Sequence, residues 1–147
     1  MRPLLQTYRQ AYRSAGHPGQ GKVMLAFHMD CAPTDREAHD TARPILNAYL
    51  ERLATAAAAW DTTTSKDYKG YPELIARLKR QNFEELVASS AAWVGSPATI
   101  RDTIRRFVDE VESFDSASLQ VMNSPTSEAD AERSIRSFAD QVMPALP

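Results

Sequence analysis

Two titratable side chains stand close together at the end of an apolar run, Lys22-Val-Met-Leu-Ala-Phe-His-Met-Asp30. The run is apolar at nearly every position, which predicts a buried strand of the parallel type. Alternation along it puts Met24, Ala26 and His28 on one face. An imidazole at the end of such a strand can hydrogen-bond a cofactor edge or a substrate, or carry a proton near neutral pH. His28 and Asp30 are therefore the candidate catalytic pair. The commoner alternative is a strand-end histidine satisfied by a backbone carbonyl, with Asp30 serving the following turn.

A second constellation is Gly95-Ser96-Pro97-Ala98-Thr99. It reads as a short strand turning into a helix, with Ser96 as N-cap and Pro97 at the first helical position. Unpaired N–H groups at such a terminus suit an anion, which makes Gly95, Ser96 and Thr99 candidate cofactor contacts. An ordinary Ser-Pro cap is the simpler explanation. A third group, Lys66, Tyr68, Lys69 and Tyr71, belongs to a polar stretch beginning at Trp60. On a loop these residues would cover a bound cofactor and exclude water, or simply face solvent. Cys31 would be reactive only with a lowered pKa, and Asp30 beside it works against that. His17 and His39 lack partners at ligand spacing, so no metal site is expected. Neither a nucleophile elbow nor a phosphate-binding P-loop pattern occurs.

The elements that must position these groups follow from periodicity. Leu5, Tyr8, Tyr12 and Ala15 mark a helix over 2–15, closed by Gly16-His17-Pro18-Gly19-Gln20-Gly21. Thr34 and Glu37 form a capping box that starts a second helix, and Pro44 inside it predicts a bend or split near Arg43. Short helices are expected from Tyr71 and from Phe83, and a strand over 91–94. Ile100, Ile104, Phe107, Val108 and Val111 give the next helix an apolar stripe. A third strand is expected over 117–122. The last helix should bury Ala131, Ile135, Phe138, Ala139, Val142 and Met143. Strands alternating with longer helices predict an α/β fold with a parallel sheet. Three such strands with helices on one side leave the other face bare, so the chain reads as part of a larger α/β object.

Composition bounds the function. The chain has 147 residues, 43% hydrophobic and 24% charged, which is the range of a folded domain rather than a disordered chain. Its formal charge of -2 argues against binding driven by phosphate neutralisation, so nucleic acid is a poor partner. One cysteine excludes an internal disulfide framework. No apolar stretch is long enough for a signal peptide or membrane span, and the expected location is the cytoplasm.

Several segments resemble flavin-dependent, luciferase-like monooxygenases. Tyr8-Arg9-Gln10-Ala11-Tyr12-Arg13 followed by Gly16-His17-Pro18-Gly19 and a strand is one; Trp93-Val94-Gly95-Ser96-Pro97-Ala98-Thr99-Ile100 is similar to the element that starts their seventh barrel helix. Phe114-Asp115 with Leu119-Gln120-Val121 looks like their eighth strand, and Ala131 to Pro144 resembles their final helix. The resemblance spans essentially the whole chain but only the C-terminal portion of the family, about three β/α units. It implies part of a (β/α)8 barrel that uses reduced FMN or a deazaflavin, molecular oxygen and a small organic substrate, with the site at the C-terminal ends of the strands. Asn123 at the end of the third strand joins the candidate cofactor contacts on that basis. The departure at Met122-Asn123-Ser124-Pro125, where related chains run on through glycine, and the missing first strands imply that this chain alone does not complete a flavin site. The implied partners are a complementing N-terminal half-barrel or further copies of the chain. A half-barrel that has lost flavin and serves as a binding protein, and a small doubly wound domain, are the other two readings.

Overall fold

The computed structural model describes residues 1–58, 70–111, 114–121 and 127–146. Six helices and three strands follow in the order α1 (Arg2–Ser14), β1 (Met24–Cys31), α2 (Asp35–Ala58), α3 (Tyr71–Leu78), α4 (Phe83–Ala88), β2 (Ala92–Gly95), α5 (Pro97–Val111), β3 (Ser116–Gln120) and α6 (Glu128–Gln141). The expected α/β class and parallel sheet are both present, and a short 3₁₀ turn at Met143–Ala145 follows α6.

The first strand is the central one. The sheet order is β2-β1-β3, with His28 opposite Ala92 on one side and Gln120 on the other. Partners opposite one another in a sheet point to the same face, so His28, Asp30, Ala92 and Val94 share one face. Phe27, Met29, Cys31 and Trp93 share the other. The crossovers β1-to-β2 and β2-to-β3 run in opposite directions across the sheet. Right-handed connections then send their helices to opposite faces. Two cores result. Ala38, Ala42, Leu46 and Leu50 of α2, with Phe83 and Leu86 of α4, pack on Ala92 and Val94. On the other face Leu5, Ile100, Ile104, Phe107, Val111 and Phe138 pack on Phe27, Met29 and Trp93. The Phe27 and Trp93 rings stack at 4.0 Å between centroids, and Phe107 meets Phe27 edge-on at 5.1 Å.

The expectation of helices on one side only is therefore corrected: α2 and α4 cover part of the face that was to be bare. What stays open is a strip beside β3. Met24 is 69% exposed, and Ala26, Ser116 and Gln120 are exposed with it.

Two further expectations change. Pro44 does not split α2, which runs unbroken through it. Both Pro44 and Asp40, whose carbonyl loses its donor, are exposed, so water can take the place of the missing bond. The capping box that starts this helix is present: the Thr34 amide donates to Glu37 Oε2 at 3.1 Å, and the Glu37 amide to Thr34 Oγ1 at 3.2 Å. In α6 the buried face is Ala131, Ser134 and Phe138, continued by Val142. Ile135 and Met143 are 48% and 57% exposed, and Ala139 is exposed as well. A polar residue, Ser134, occupies the inner stripe because it satisfies a backbone group of β1, and apolar periodicity cannot register that.

Candidate functional site

The C-terminal end of β1 carries the site. Because β1 is the middle strand, His28 is flanked on both sides, by Ala92 and Gln120, and Asp30 has Val94 beside it. Tyr49 of α2 lies against the His28 ring with centroids 5.1 Å apart. His28 Nδ1 is buried and has no hydrogen-bond partner among the described residues. Burial pushes the His28 pKa below its ordinary value, because the charged imidazolium loses hydration there. Asp30 is half-buried, and the same loss of hydration pushes its carboxyl up, partly offset by the Ser134 hydroxyl. The backbone-carbonyl satisfaction offered as the plainer role for His28 is not observed at Nδ1.

His28 and Asp30 line a small, partly open cavity of about 20 Å³, together with Thr41, Asp130 and Ser134. That volume holds about one water molecule. Asp30, Thr41, Asp130 and Ser134 also line a larger cleft of about 620 Å³, bounded by the start of α2 and the side of α6. This second space is of the size that takes a small organic ligand. Arg133 and Arg136 stand on its wall, paired with Asp130 and Glu132 respectively.

Ser134 fastens α6 to the strand end. The Cys31 amide donates to Ser134 Oγ at 2.8 Å, inside the core. The Cys31 thiol donates to Ser137 Oγ at 3.3 Å. Burial pushes that thiol up, the Ser137 bond opposes, and the Asp30 charge pushes it up further. The Arg101 charge opposes in turn, and Cys31 is a buried packing residue whose thiol is raised rather than lowered.

Gly95, Ser96 and Thr99 do meet an anion, and it is one of the chain's own. Asp35, at the start of α2, accepts the Ser96 amide at 2.7 Å and the Thr99 hydroxyl at 2.9 Å. The Ser96 amide bond and then the Thr99 hydroxyl hold the Asp35 carboxyl below its usual range. Gly95 has φ +153, and a Cβ there would lie 2.9 Å from Asp35 Oδ1 and 3.0 Å from Thr99 Cγ2. The glycine is required by this close approach. A flavin phosphate would reach these donors only after Asp35 had let go of them. Asp35 escaped sequence reading because its partners are 61 and 64 residues away, and its neighbour Thr34 already explains the helix start. Lys66, Tyr68 and Asn123, with Trp60 and Lys69, lie outside the described residues. Among the described residues there is no cluster that would hold a metal ion, and no helix is long and apolar enough to cross a membrane.

Comparison with known proteins sets this geometry in context. No curated protein matches in sequence. The fold is similar to that of the monooxygenase RslO1 from Streptomyces bottropensis, with a TM-score of 0.70 and 22% identity over 97% of this chain and 37% of that one. It is equally similar to the oxygenating constituent of 3,6-diketocamphane monooxygenase of Pseudomonas putida, solved with FMN: TM-score 0.70, 20% identity, 99% of this chain and 40% of that one. A riboflavin lyase solved with modified FMN and riboflavin matches at a TM-score of 0.56 and 18% identity, over 97% of this chain and 35% of the other. The chain thus spans well under half the length of these structures. The family model described as luciferase-like monooxygenase matches residues 1–111, and the chain belongs to that family.

Proposed function

We propose that the chain is the C-terminal portion of a luciferase-like flavin monooxygenase and furnishes part of the FMN and substrate pocket, with His28 and Asp30 as its catalytic groups. The observation that carries this reading is the polar pair at the end of the central parallel strand, beside a cleft of ligand size. The fit to FMN is partial. The larger cleft has room for a flat organic ring, whereas the 20 Å³ cavity has not, and the donors at Ser96 and Thr99 must first release Asp35. Lys66, Tyr68 and Asn123 are the remaining proposed contacts. Bound reduced flavin supplies the oxygen activation. The chain's own share is to hold the substrate against the strand end, to keep water from it, and to deliver or accept a proton at the His28 imidazole or the Asp30 carboxyl.

The remaining surface of such a pocket is proposed to come from a complementing N-terminal half-barrel or a second copy. The uncharged strip of Met24, Ala26, Ser116, Ser118 and Gln120 beside the edge strand β3 favours association. With one cysteine and a mild negative charge, the cytoplasm is the proposed compartment. FMN titrated against the purified chain at micromolar concentration should lose fluorescence. No quenching with oxidised FMN, and no retention of the reduced form, rejects flavin binding by this chain alone. The second reading, a non-catalytic half-barrel, is favoured by one observation: the anion site at the start of α5 is already filled by Asp35. It predicts normal association without flavin.

A further inference from the structure

Asp30 and His28 lie on one face of β1, two positions apart, and line a common small cavity. The cavity is about 20 Å³, and its lining mixes polar Asp30, Thr41 and Ser134 with apolar Ile45 and Leu46. A space of that size with several polar groups around it is where a single water is held and shared. His28 Nδ1 is buried and has no partner among the described residues, so the ring has an unused nitrogen. Asp30 is different in one respect: it also borders the wide cleft. The carboxyl therefore borders both spaces.

We propose that Asp30 and His28 form a proton-sharing pair across this cavity, with the cleft as the route by which the pair exchanges protons with solvent. In one state the carboxyl is protonated and the imidazole is neutral. In the other, the Asp30 O–H bond breaks and its proton passes to a water in the cavity. That water gives one of its own protons to the imidazole, leaving carboxylate and imidazolium. Total charge is unchanged, and no oxidant or further reactant is needed. Burial disfavours both charged forms, raising the carboxyl and lowering the imidazole, and so brings the neutral state closer in free energy to the ion pair. Several charged groups face the pair: Glu37, Arg133 and Arg136 line the cleft with Asp30, the two arginines favouring its carboxylate and Glu37 opposing it. Asp130 of α6 borders both spaces, and its charge favours the imidazolium while opposing a second carboxylate. Tyr49 of α2 lies on the ring, and Ala92, Val94 and Gln120 on the flanking strands carry no charge. This inference deepens the catalytic role proposed for the two residues, but it is a property of the chain without flavin.

The test is a pH titration of the apo chain by NMR, following the His28 ring nitrogens and the Asp30 carboxyl carbon. The expected result is that both signals inflect at a shared midpoint, since interacting sites titrate as a pair. In Asp30→Asn the His28 midpoint should fall by about half a pH unit or more, because a nearby opposite charge is lost. An Asp30 carbon with no inflection at the His28 midpoint overturns the proposal, and so does a His28 midpoint unmoved by Asp30→Asn. Should Asp30→Asn not fold, the two wild-type signals decide the matter alone. Failure of flavin to bind leaves these outcomes untouched, so the two proposals fail separately.

Discussion

At the residue scale, each carboxylate near the site makes its own demand on pH. Asp35 is held below its usual pKa by the Ser96 amide and Thr99 hydroxyl. Its contribution is present above the unfolded-state value, about 3.9, and is lost as pH falls through the folded one. Asp35→Ala should lower stability by about 1 kcal/mol at neutral pH, at the modest end for a cap because the carboxylate is exposed. The loss should shrink in thermal melts as pH falls through the folded pKa, which lies below the unfolded value, and wild-type Asp35 takes up its proton. Asp30 has the opposite sign. Its folded pKa is raised by burial, so its ionisation costs stability as pH rises through that value. Asp30→Asn should therefore raise the melting temperature at pH 7 relative to wild type, and a lowered one would contradict the desolvation account. His28, with a lowered folded pKa, adds stability above about 6.5 that is lost as pH falls through the folded value. The shared face of His28 with Met24 and Ala26 was legible in the sequence, because alternation is a local rule. The grip of Asp35 on Ser96 was not, because it is a contact between two helix starts joined only by the fold.

At the element scale, the helix ends were legible and the inner face of α6 was not. Thr34–Glu37 and Ser96–Pro97 announce their helices in four or five residues, and both are found where expected. The α6 stripe fails at Ile135 and Met143 because Ser134 takes an inner place to serve the Cys31 amide. Ser134→Ala should cost about 1–3 kcal/mol, the cost of leaving that buried N–H without an acceptor. Urea unfolding would measure it, and a change within experimental error would mean that α6 is held by packing alone. Gly95→Ala should cost a similar amount, about 1–3 kcal/mol, from its positive φ and from the clash with Asp35 and Thr99. If the clash dominates, pairing it with Asp35→Ala should recover part of the loss, which a double-mutant cycle would resolve.

At the scale of the whole molecule, the parallel α/β plan was legible and the layering was not. Periodicity places strands and helices in order, but it does not say that the first strand lies between the other two. That placement decides which face α2 covers, and hence that His28 is half-buried rather than facing an open sheet. The uncovered strip beside β3 is uncharged over Met24, Ala26, Ser116, Ser118 and Gln120, and it lacks the charge with which an edge strand usually resists pairing. A lysine introduced there, Ser118→Lys, should leave the melting temperature nearly unchanged and shift light-scattering mass toward the monomer. An unaltered mass would place any association elsewhere.

The central position of β1 also sets an order of events in time. Both edges of this strand are satisfied only by chain made much later: the Val23 amide beside it waits for Asp115, 92 residues on. A ribosome therefore releases β1 long before its neighbours exist: the apolar run from Val23 to Cys31 stays unpaired until β2 is made, and lacks its second neighbour until β3 follows α5. Folding should be slow for a chain of this helix content, since the sheet closes only through distant contacts. Translation that stalls before Ser116 would leave an unfinished sheet with its middle strand exposed, the state in which this protein is most prone to aggregate.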